Sequence, residues 1–280
     1  MRTRTVAARG LDFAVTEAGD PQPDDGRRLL FAHGFTGAKE DFTDWFGPVA
    51  DLGWHVAALD LRGHGASDKP AGLDAYALRV LADDVLAVAD GLRWDRFVLF
   101  GHSMGGMAAQ HAALMAPTRL AALILMATSP GRVDRVERQV VELACAIVAA
   151  GGMEALARAQ AERESPLATP AGERVLAERP GHAEFSARKF LATAPDAYRA
   201  LAMEMLDQPD RLGALASLGL PVLVIAGEQD RVFLEPCELL AAAIPGAVLE
   251  VVPDAGHSPQ FENPSAWWDA LSRFLKEVGR

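Results

Sequence analysis

The chain has 280 residues, half of them hydrophobic, which is enough for one large domain or for a domain with a substantial insertion. Its net charge of −11 and pI of about 5.1 argue against a nucleic-acid partner, because an acidic surface repels a phosphate backbone. The two cysteines lack metal-ligand spacing, and we predict neither a metal nor a cofactor.

The N-terminal segment is charged and lacks the apolar stretch of a signal peptide. No uninterrupted apolar run approaches the length needed to cross a membrane. We therefore expect a soluble, cytoplasmic protein without membrane insertion. The sequence gives no indication of the oligomeric state.

Short apolar runs typical of strands alternate with longer helical patterns, which predicts a mainly parallel sheet flanked by helices. Two runs, near Val6 and at 13–15, are candidates for an antiparallel hairpin at the sheet edge. The other predicted strands cover residues 29–32, 55–59, 97–100, 123–126, 222–225 and 248–252.

The clearest helical patterns follow these strands. One spans 76–92 and has Asp74 as its expected N-cap. Another spans 104–115 and is stopped by Pro117, and the last opens with Asn263 and Pro264. These patterns predict helices packed against the sheet.

Between 131 and 207 the alternation lapses into several helical segments without a convincing strand, and the strand pattern resumes at Pro221. The simplest interpretation is an all-helical insertion over 131–207 within an α/β core formed by 1–130 and 208–280.

The motif Gly101-His102-Ser103-Met104-Gly105 follows a predicted strand and opens a predicted helix. A serine on such a sharp strand-to-helix turn is held with its hydroxyl above the sheet, and the helix N-terminus favours negative charge beside it. We predict that Ser103 is a nucleophile. The alternative is a tight turn whose serine has no chemical role.

A serine needs a base, and folds built on this turn carry the nucleophile, acid and histidine in that chain order. Three histidines follow Ser103. His111 belongs to the helix that leaves the serine, and His182 lies inside the insertion. His257 lies in a loop just after the last strand, from which it could reach over the sheet, and it is the predicted base.

Asp230 is the predicted acid because it follows a strand at its carboxyl end, where ligands of open α/β sheets bind. It is favoured over Glu228, since residues 227–229 can form the turn that carries Asp230 over the site. Asp254 is the competing carboxylate, and we interpret it as a turn residue. The strand before offers no carboxylate at 126–129.

An oxyanion hole requires two backbone N–H groups. One is expected from Met104, the residue after the nucleophile, and the other from Phe35 in the loop after an earlier strand. Gly34 lets that loop turn, and we expect His33 to brace the loop rather than to take part in the chemistry.

Together these motifs resemble the α/β-hydrolase superfamily, in particular a serine-nucleophile, carboxylesterase-like branch with a helical cap. The resemblance implies a mostly parallel eight-stranded sheet, with the insertion over 131–207 as a cap that covers an apolar pocket. Phe35, His102 and Val232 are candidate substrate contacts. The motifs that carry the resemblance occur in the family's order at 33–35, 60–67, 101–106, 227–230 and 256–257.

A serine at the turn argues against the haloalkane dehalogenase and epoxide hydrolase branches, which use an aspartate there. The resemblance therefore implies hydrolysis of a small to medium, largely apolar carboxylic ester through an acyl-enzyme. Four alternatives stay open on the sequence: a carbon–carbon bond hydrolase, a lactonase, a perhydrolase, or a small-molecule receptor with slow turnover.

Overall fold

The structure, a computed structural model, describes residues 1–21, 26–161 and 167–280. Eight strands form a single sheet in the order β1-β2-β4-β3-β5-β6-β7-β8. In chain order the strands are β1 (Arg2–Ala8), β2 (Leu11–Ala18), β3 (Arg28–Ala32), β4 (His55–Leu59), β5 (Phe97–His102), β6 (Leu120–Met126), β7 (Val222–Gly227) and β8 (Val248–Val252).

Helices cover both faces of this sheet. Within the described ranges they are α1 (Phe46–Asp51), α2 (Leu78–Gly91), α3 (Met104–Met115), α4 (Arg138–Gln160), α5 (Pro170–Glu178), α6 (His182–Leu191), α7 (Pro195–Asp207), α8 (Leu212–Leu215), α9 (Leu234–Ala243), α10 (Pro259–Glu262) and α11 (Pro264–Val278).

The sheet is mostly parallel. Strands β1 and β2 pair as an antiparallel hairpin at one edge, and β2 is also antiparallel to β4. All pairings from β4 through β3, β5, β6 and β7 to β8 are parallel. The predicted α/β fold and its edge hairpin are confirmed.

The central strands lie almost fully inside the protein because helices cover them on both sides. Their apolar side chains join an aromatic group that extends towards α11. The Phe31 ring stacks on Phe42 with centroids 4.5 Å apart, and Phe100 contacts Trp267 at 6.0 Å. This packing makes the central strands a rigid support for the loops at their carboxyl ends.

The predicted cap of the second helix is wrong. Helix α2 begins at Leu78, and Asp74 lies in a preceding 3-10 turn. The Leu78 N–H instead donates to the Glu204 carboxylate of α7 at 2.7 Å, so the helix N-terminus is capped from a distant part of the chain. For α11 the prediction is confirmed, since the Asn263 side chain accepts the Ala266 N–H.

Between β6 and β7, residues 127–161 and 167–221 form helices α4 to α8 and no strand. Residues 162–166 of the predicted insertion lie outside the described residues. Helix α4 kinks at Gly152 and packs on α7 through an apolar cluster. In the part of the chain that the structure describes, α4 is the one helix long and apolar enough to cross a membrane. Of its most apolar 18-residue stretch, 22% is buried inside the protein. The domain limits at 130/131 and 207/208 stay a prediction.

The junction between β5 and α3 depends on glycines. A Cβ at Gly101 would lie 2.4 Å from the Gly105 carbonyl oxygen, and one at Gly105 would lie 2.4 Å from the carbonyl oxygens of Ala32 and His33. Such distances are far below van der Waals contact, so the start of α3 can rest on the end of β3 only without side chains there.

We predict that Gly105→Ala destabilises the fold by about 1–3 kcal/mol, because α3 must move away from the carbonyl oxygens of β3. Urea unfolding at neutral pH measures the effect. Gly213→Ala in α8 is the matched control, because a Cβ there meets no atom within 4 Å and alanine favours a helix over glycine. Equal midpoints for the two variants would contradict this account of the junction.

Candidate active site

Ser103 lies between β5 and α3 in a strained conformation, with φ of 52° and ψ of −118°. Its N–H donates to the Met126 carbonyl at 2.8 Å, and its own carbonyl accepts the Thr128 hydroxyl at 2.7 Å. A backbone conformation of this kind costs about 1–3 kcal/mol, and it persists only where the surrounding structure holds the residue in place. The serine is therefore fixed from both sides at the carboxyl edge of the sheet.

The structure brings His257 and Asp230 together from two loops at that same edge. His257 Nδ1 donates to Asp230 Oδ2 at 2.9 Å. The other carboxylate oxygen accepts the N–H groups of Val232 at 3.1 Å and Phe233 at 3.0 Å. With its Nδ1 proton engaged, the imidazole keeps the Nε2 lone pair for accepting a proton.

Asp230 is 3% exposed, and burial alone would raise its pKa. The neighbouring His257 and the two backbone N–H groups outweigh burial and hold the pKa below its ordinary value. Asp230 is therefore an anion near neutral pH, as a group that stabilises an imidazolium must be.

The competing carboxylates have other partners. Glu228 accepts the Asp254 N–H at 3.0 Å, and Asp254 in turn accepts the Gln229 amide at 2.9 Å. Asp254 has φ of 49° and lies in a turn, as the sequence predicted. Of the three candidates, Asp230 is the one with a hydrogen bond to His257 among the residues that the structure describes.

His102 contacts the histidine loop. Its Nε2–H donates to the His257 carbonyl at 2.8 Å, and the two rings lie 4.9 Å apart. Burial lowers the pKa of His102 to about 3, so the ring is neutral and the bond fixes its Nε2–H tautomer. From the sequence His102 is predicted only as a substrate contact, and its position beside Ser103 is the sole signal there for this bond.

The loop after β3 makes a tight turn in which the Gly37 N–H donates to the Gly34 carbonyl at 3.0 Å and Thr36 has φ of 54°. Phe35 lies inside this turn, and Met104 is the first residue of α3. Neither the Phe35 nor the Met104 N–H donates to another residue within 1–21, 26–161 or 167–280. That both groups donate to an oxygen atom of the substrate stays a prediction.

His33 braces this loop from below. Its Nδ1–H donates to the Gly34 carbonyl at 2.8 Å, and its Nε2 accepts the Leu61 N–H at 3.0 Å. Burial lowers the pKa of His33, which keeps the ring neutral as both bonds require. Its side chain makes the structural contacts that the sequence analysis expected.

The two other predicted substrate contacts, Phe35 and Val232, have different neighbours. The Phe35 ring packs against Tyr198 of α7 at 4.8 Å, at the border of the apolar cluster between α4 and α7. Val232 is 5% exposed and, with Phe233, borders a groove of about 480 Å³. Phe233 itself contacts the His257 ring at 4.9 Å. Substrate binding by these residues stays a prediction.

No group of three or more His, Cys, Asp or Glu side chains in the described ranges is arranged to hold a metal ion. Cys237 is fully buried, and burial raises the pKa of its thiol to about 12, which makes it unreactive at neutral pH. The Ser103 hydroxyl, the His257 imidazole and the Asp230 carboxylate follow strands at the carboxyl edge of the sheet, and their catalytic roles stay a prediction.

Comparison with known proteins agrees with this architecture. The sequence profile of the alpha/beta hydrolase fold matches residues 27–264. The chain belongs to the α/β-hydrolase family. It is accordingly an enzyme of the hydrolase class, and the fold implies a small-molecule substrate.

Three individual proteins illustrate the similarity. The chain is 28% identical to a Bacillus subtilis protein provisionally named a 2-succinyl-6-hydroxy-2,4-cyclohexadiene-1-carboxylate synthase, over 96% of each chain. It is 30% identical to a provisionally named carbamate hydrolase of Variovorax paradoxus, over 91% of this chain and 94% of the relative. A thermophilic esterase from Thermogutta terrifontis superposes with a TM-score of 0.83 at 27% identity over the full length of both chains.

An ion pair connects the helices between β6 and β7 to the loop after β3, residues 33–38, which is named the Phe35 loop. Asp41 is buried beside this loop, where one carboxylate oxygen accepts the Ala38 N–H and the other pairs with Lys189 of α6. Burial alone would raise the pKa of Asp41, but the Lys189 ammonium holds it below the ordinary value.

We predict that Lys189→Met lowers the free energy of unfolding by about 1–3 kcal/mol at pH 7. This loss lies between the losses typical of exposed ion pairs and those of buried ion pairs. Because the folded-state pKa of Asp41 is lowered, the stabilisation is present above the unfolded pKa of about 3.9 and is lost as the pH falls through the folded value. Urea unfolding at pH 7 and at about pH 3 measures the difference between variant and native protein.

Lys276→Met is the control for this experiment, since Lys276 is exposed on α11 and has no ion pair with a residue in the described ranges. The Lys189 effect is expected to shrink in acid, whereas the control is expected to change little at either pH. A loss of equal size at both pH values would contradict the ion-pair explanation.

Proposed function

We propose that the protein is a serine hydrolase that cleaves a small to medium, largely apolar carboxylic ester through an acyl-enzyme. The observation that carries this proposal is the 2.9 Å hydrogen bond between His257 and Asp230 at the edge where Ser103 is held in its strained turn. A histidine oriented by a buried carboxylate is the base that a serine nucleophile needs.

In the proposed reaction, Ser103 Oγ attacks the carbonyl carbon of the ester while His257 Nε2 takes the hydroxyl proton. Asp230 stabilises the imidazolium that forms. The N–H groups of Phe35 and Met104 donate to the oxyanion of the tetrahedral intermediate. When this intermediate collapses, His257 gives its proton to the departing alkoxide. The acyl group stays bonded to Ser103 Oγ.

Deacylation repeats the same steps with water. His257 takes a proton from the water molecule as its oxygen attacks the acyl carbon, and then returns the proton to Ser103 Oγ as the acid is released. We further propose that residues 131–207 form a cap over the site. The apolar cluster that α4 and α7 form with the Phe35 ring supports an apolar acyl or alcohol group.

The same triad would also open a lactone, a carbon–carbon bond beside a carbonyl, or a carbamate, and one relative is named for the last of these. A first substrate panel should therefore contain a lactone and a carbamate beside the esters. A receptor with slow turnover would bind ligands tightly but hydrolyse none of them efficiently.

We predict that the purified protein hydrolyses p-nitrophenyl esters with a rate that peaks at one acyl-chain length. Ser103→Ala is expected to lower kcat/KM by about four orders of magnitude or more, because the nucleophile is lost. Ser217→Ala, at an exposed serine just after α8, is the matched control with unchanged activity. Equal rates for Ser103→Ala and the native protein on the whole panel would refute the proposal.

Asp230→Asn is predicted to lower kcat by about 10⁴, since an amide cannot hold the Nδ1–H tautomer of His257 or stabilise its positive charge. Glu228→Gln tests the competing carboxylate, and a loss of less than about threefold is expected because its oxygen bonds a backbone N–H rather than His257. Kinetics on the best ester of the panel compare the two variants. The reverse order of losses would make Glu228 the acid.

A further inference from the structure

A second carboxylate lies beneath the histidine loop. Glu262 of α10 is 8% exposed, and its Oε2 accepts the Gly256 N–H at 2.5 Å and the Ser258 N–H at 3.2 Å. These are the residues on either side of His257. One oxygen atom thus holds the backbone at both ends of the peptide segment that carries the imidazole.

The carbonyl between those two N–H groups is held by a different side chain. It is the His257 carbonyl that accepts the Nε2–H of His102 at 2.8 Å. The side chain of His257 is held as well, because its Nδ1–H donates to Asp230. The backbone and the side chain of His257 are thus fixed by groups from three segments, namely α10, the end of β5 and the loop after β7. Rotation of the loop about its own axis would break at least one of these bonds.

Helix α5 prevents Glu262 from moving away. A Cβ at Gly172 would lie 3.3 Å from Glu262 Oε1, and the Arg174 guanidinium donates to the Glu262 carbonyl at 3.0 Å. At the N-terminus of the same helix, Thr169 packs so closely on Gly256 that a Cβ at Gly256 would lie 2.4 Å from the Thr169 hydroxyl oxygen. The carboxylate is therefore confined between α5 and the histidine loop.

We propose that Glu262 is a positioning residue for the reaction, because its carboxylate holds the backbone around His257 so that the imidazole stays aligned between Asp230 and Ser103. This inference rests on the proposed function. Burial raises the pKa of Glu262, whereas the two N–H donors that converge on its Oε2 favour the charged form, with which they bond more strongly than with an amide oxygen. Loss of the charge is therefore expected to loosen the loop without removing any group that touches substrate.

Glu262→Gln is the test variant, since it keeps the size of the side chain and removes the charge. We expect kcat on the best ester to fall by about ten- to a hundredfold, as for a displacement of a catalytic group by up to about 1 Å, with KM changed less than threefold. Glu262→Asp, which keeps the charge on a shorter side chain, should recover part of the loss. Glu277→Gln, an exposed glutamate of α11, should behave as the native protein.

A fluorophosphonate probe separates this inference from the proposed function. In the labelling step Ser103 Oγ forms a bond to phosphorus, fluoride leaves, and His257 takes the hydroxyl proton, so the rate reports on the histidine whatever the natural substrate is. We expect the native protein and Glu277→Gln to be labelled at the same rate, and Glu262→Gln to be labelled at least about tenfold more slowly.

The outcomes are distinct when rates are divided by the folded fraction from circular dichroism. A native protein that the probe does not label would refute the proposed function. A labelled native protein with equally fast labelling of folded Glu262→Gln would overturn the role of Glu262 alone. If Glu262→Gln does not fold, Glu262→Asp decides: slowed labelling with an unchanged KM supports positioning, and native kinetics overturn it.

Discussion

The backbone of Ser103 occupies a region that a serine rarely adopts, and it remains there because neighbouring segments approach it with almost no space between them. The Met126 carbonyl and the Thr128 hydroxyl bond its backbone, while glycines let α3 start directly against the end of β3. Where β5 ends, where α3 begins and how closely β3 passes are all determined by this one turn. A Cβ at Gly101 or Gly105 would separate segments that the serine needs close together.

The groups around that turn are held mainly through backbone hydrogen bonds. Asp230 accepts two N–H groups of its own loop, and Glu262 bonds the backbone around His257. His33 joins the Gly34 carbonyl of the Phe35 loop to the Leu61 N–H of the loop after β4. Backbone groups cannot change rotamer, so such bonds restrict the position of a loop more than contacts between side chains would. This is the kind of rigidity that preorganised sites require.

The helices between β6 and β7 do more than pack on the core, because their side chains bond or neutralise polar groups of the core. Lys189 neutralises Asp41 beside the Phe35 loop, and Glu204 caps the first turn of α2. Arg174 bonds the loop of Asp254 and Glu262. Without these helices the buried Asp41 carboxylate would lose its counter-charge and the Leu78 N–H its acceptor, so the helical segment and the sheet depend on each other for stability.

The sequence by itself determined the strand and helix order and the strained turn at Ser103, and it singled out Asp230 and His257 as the proposed acid and base. Periodicity, glycine spacing and chain order encode those features locally. It did not reveal that Glu204 caps α2, that His102 bonds the His257 carbonyl or that Glu262 lies beneath the histidine loop. Only the tertiary structure decided these contacts, since the partner of a buried polar group is whichever segment passes within about 3 Å of it, however far away it lies in the chain.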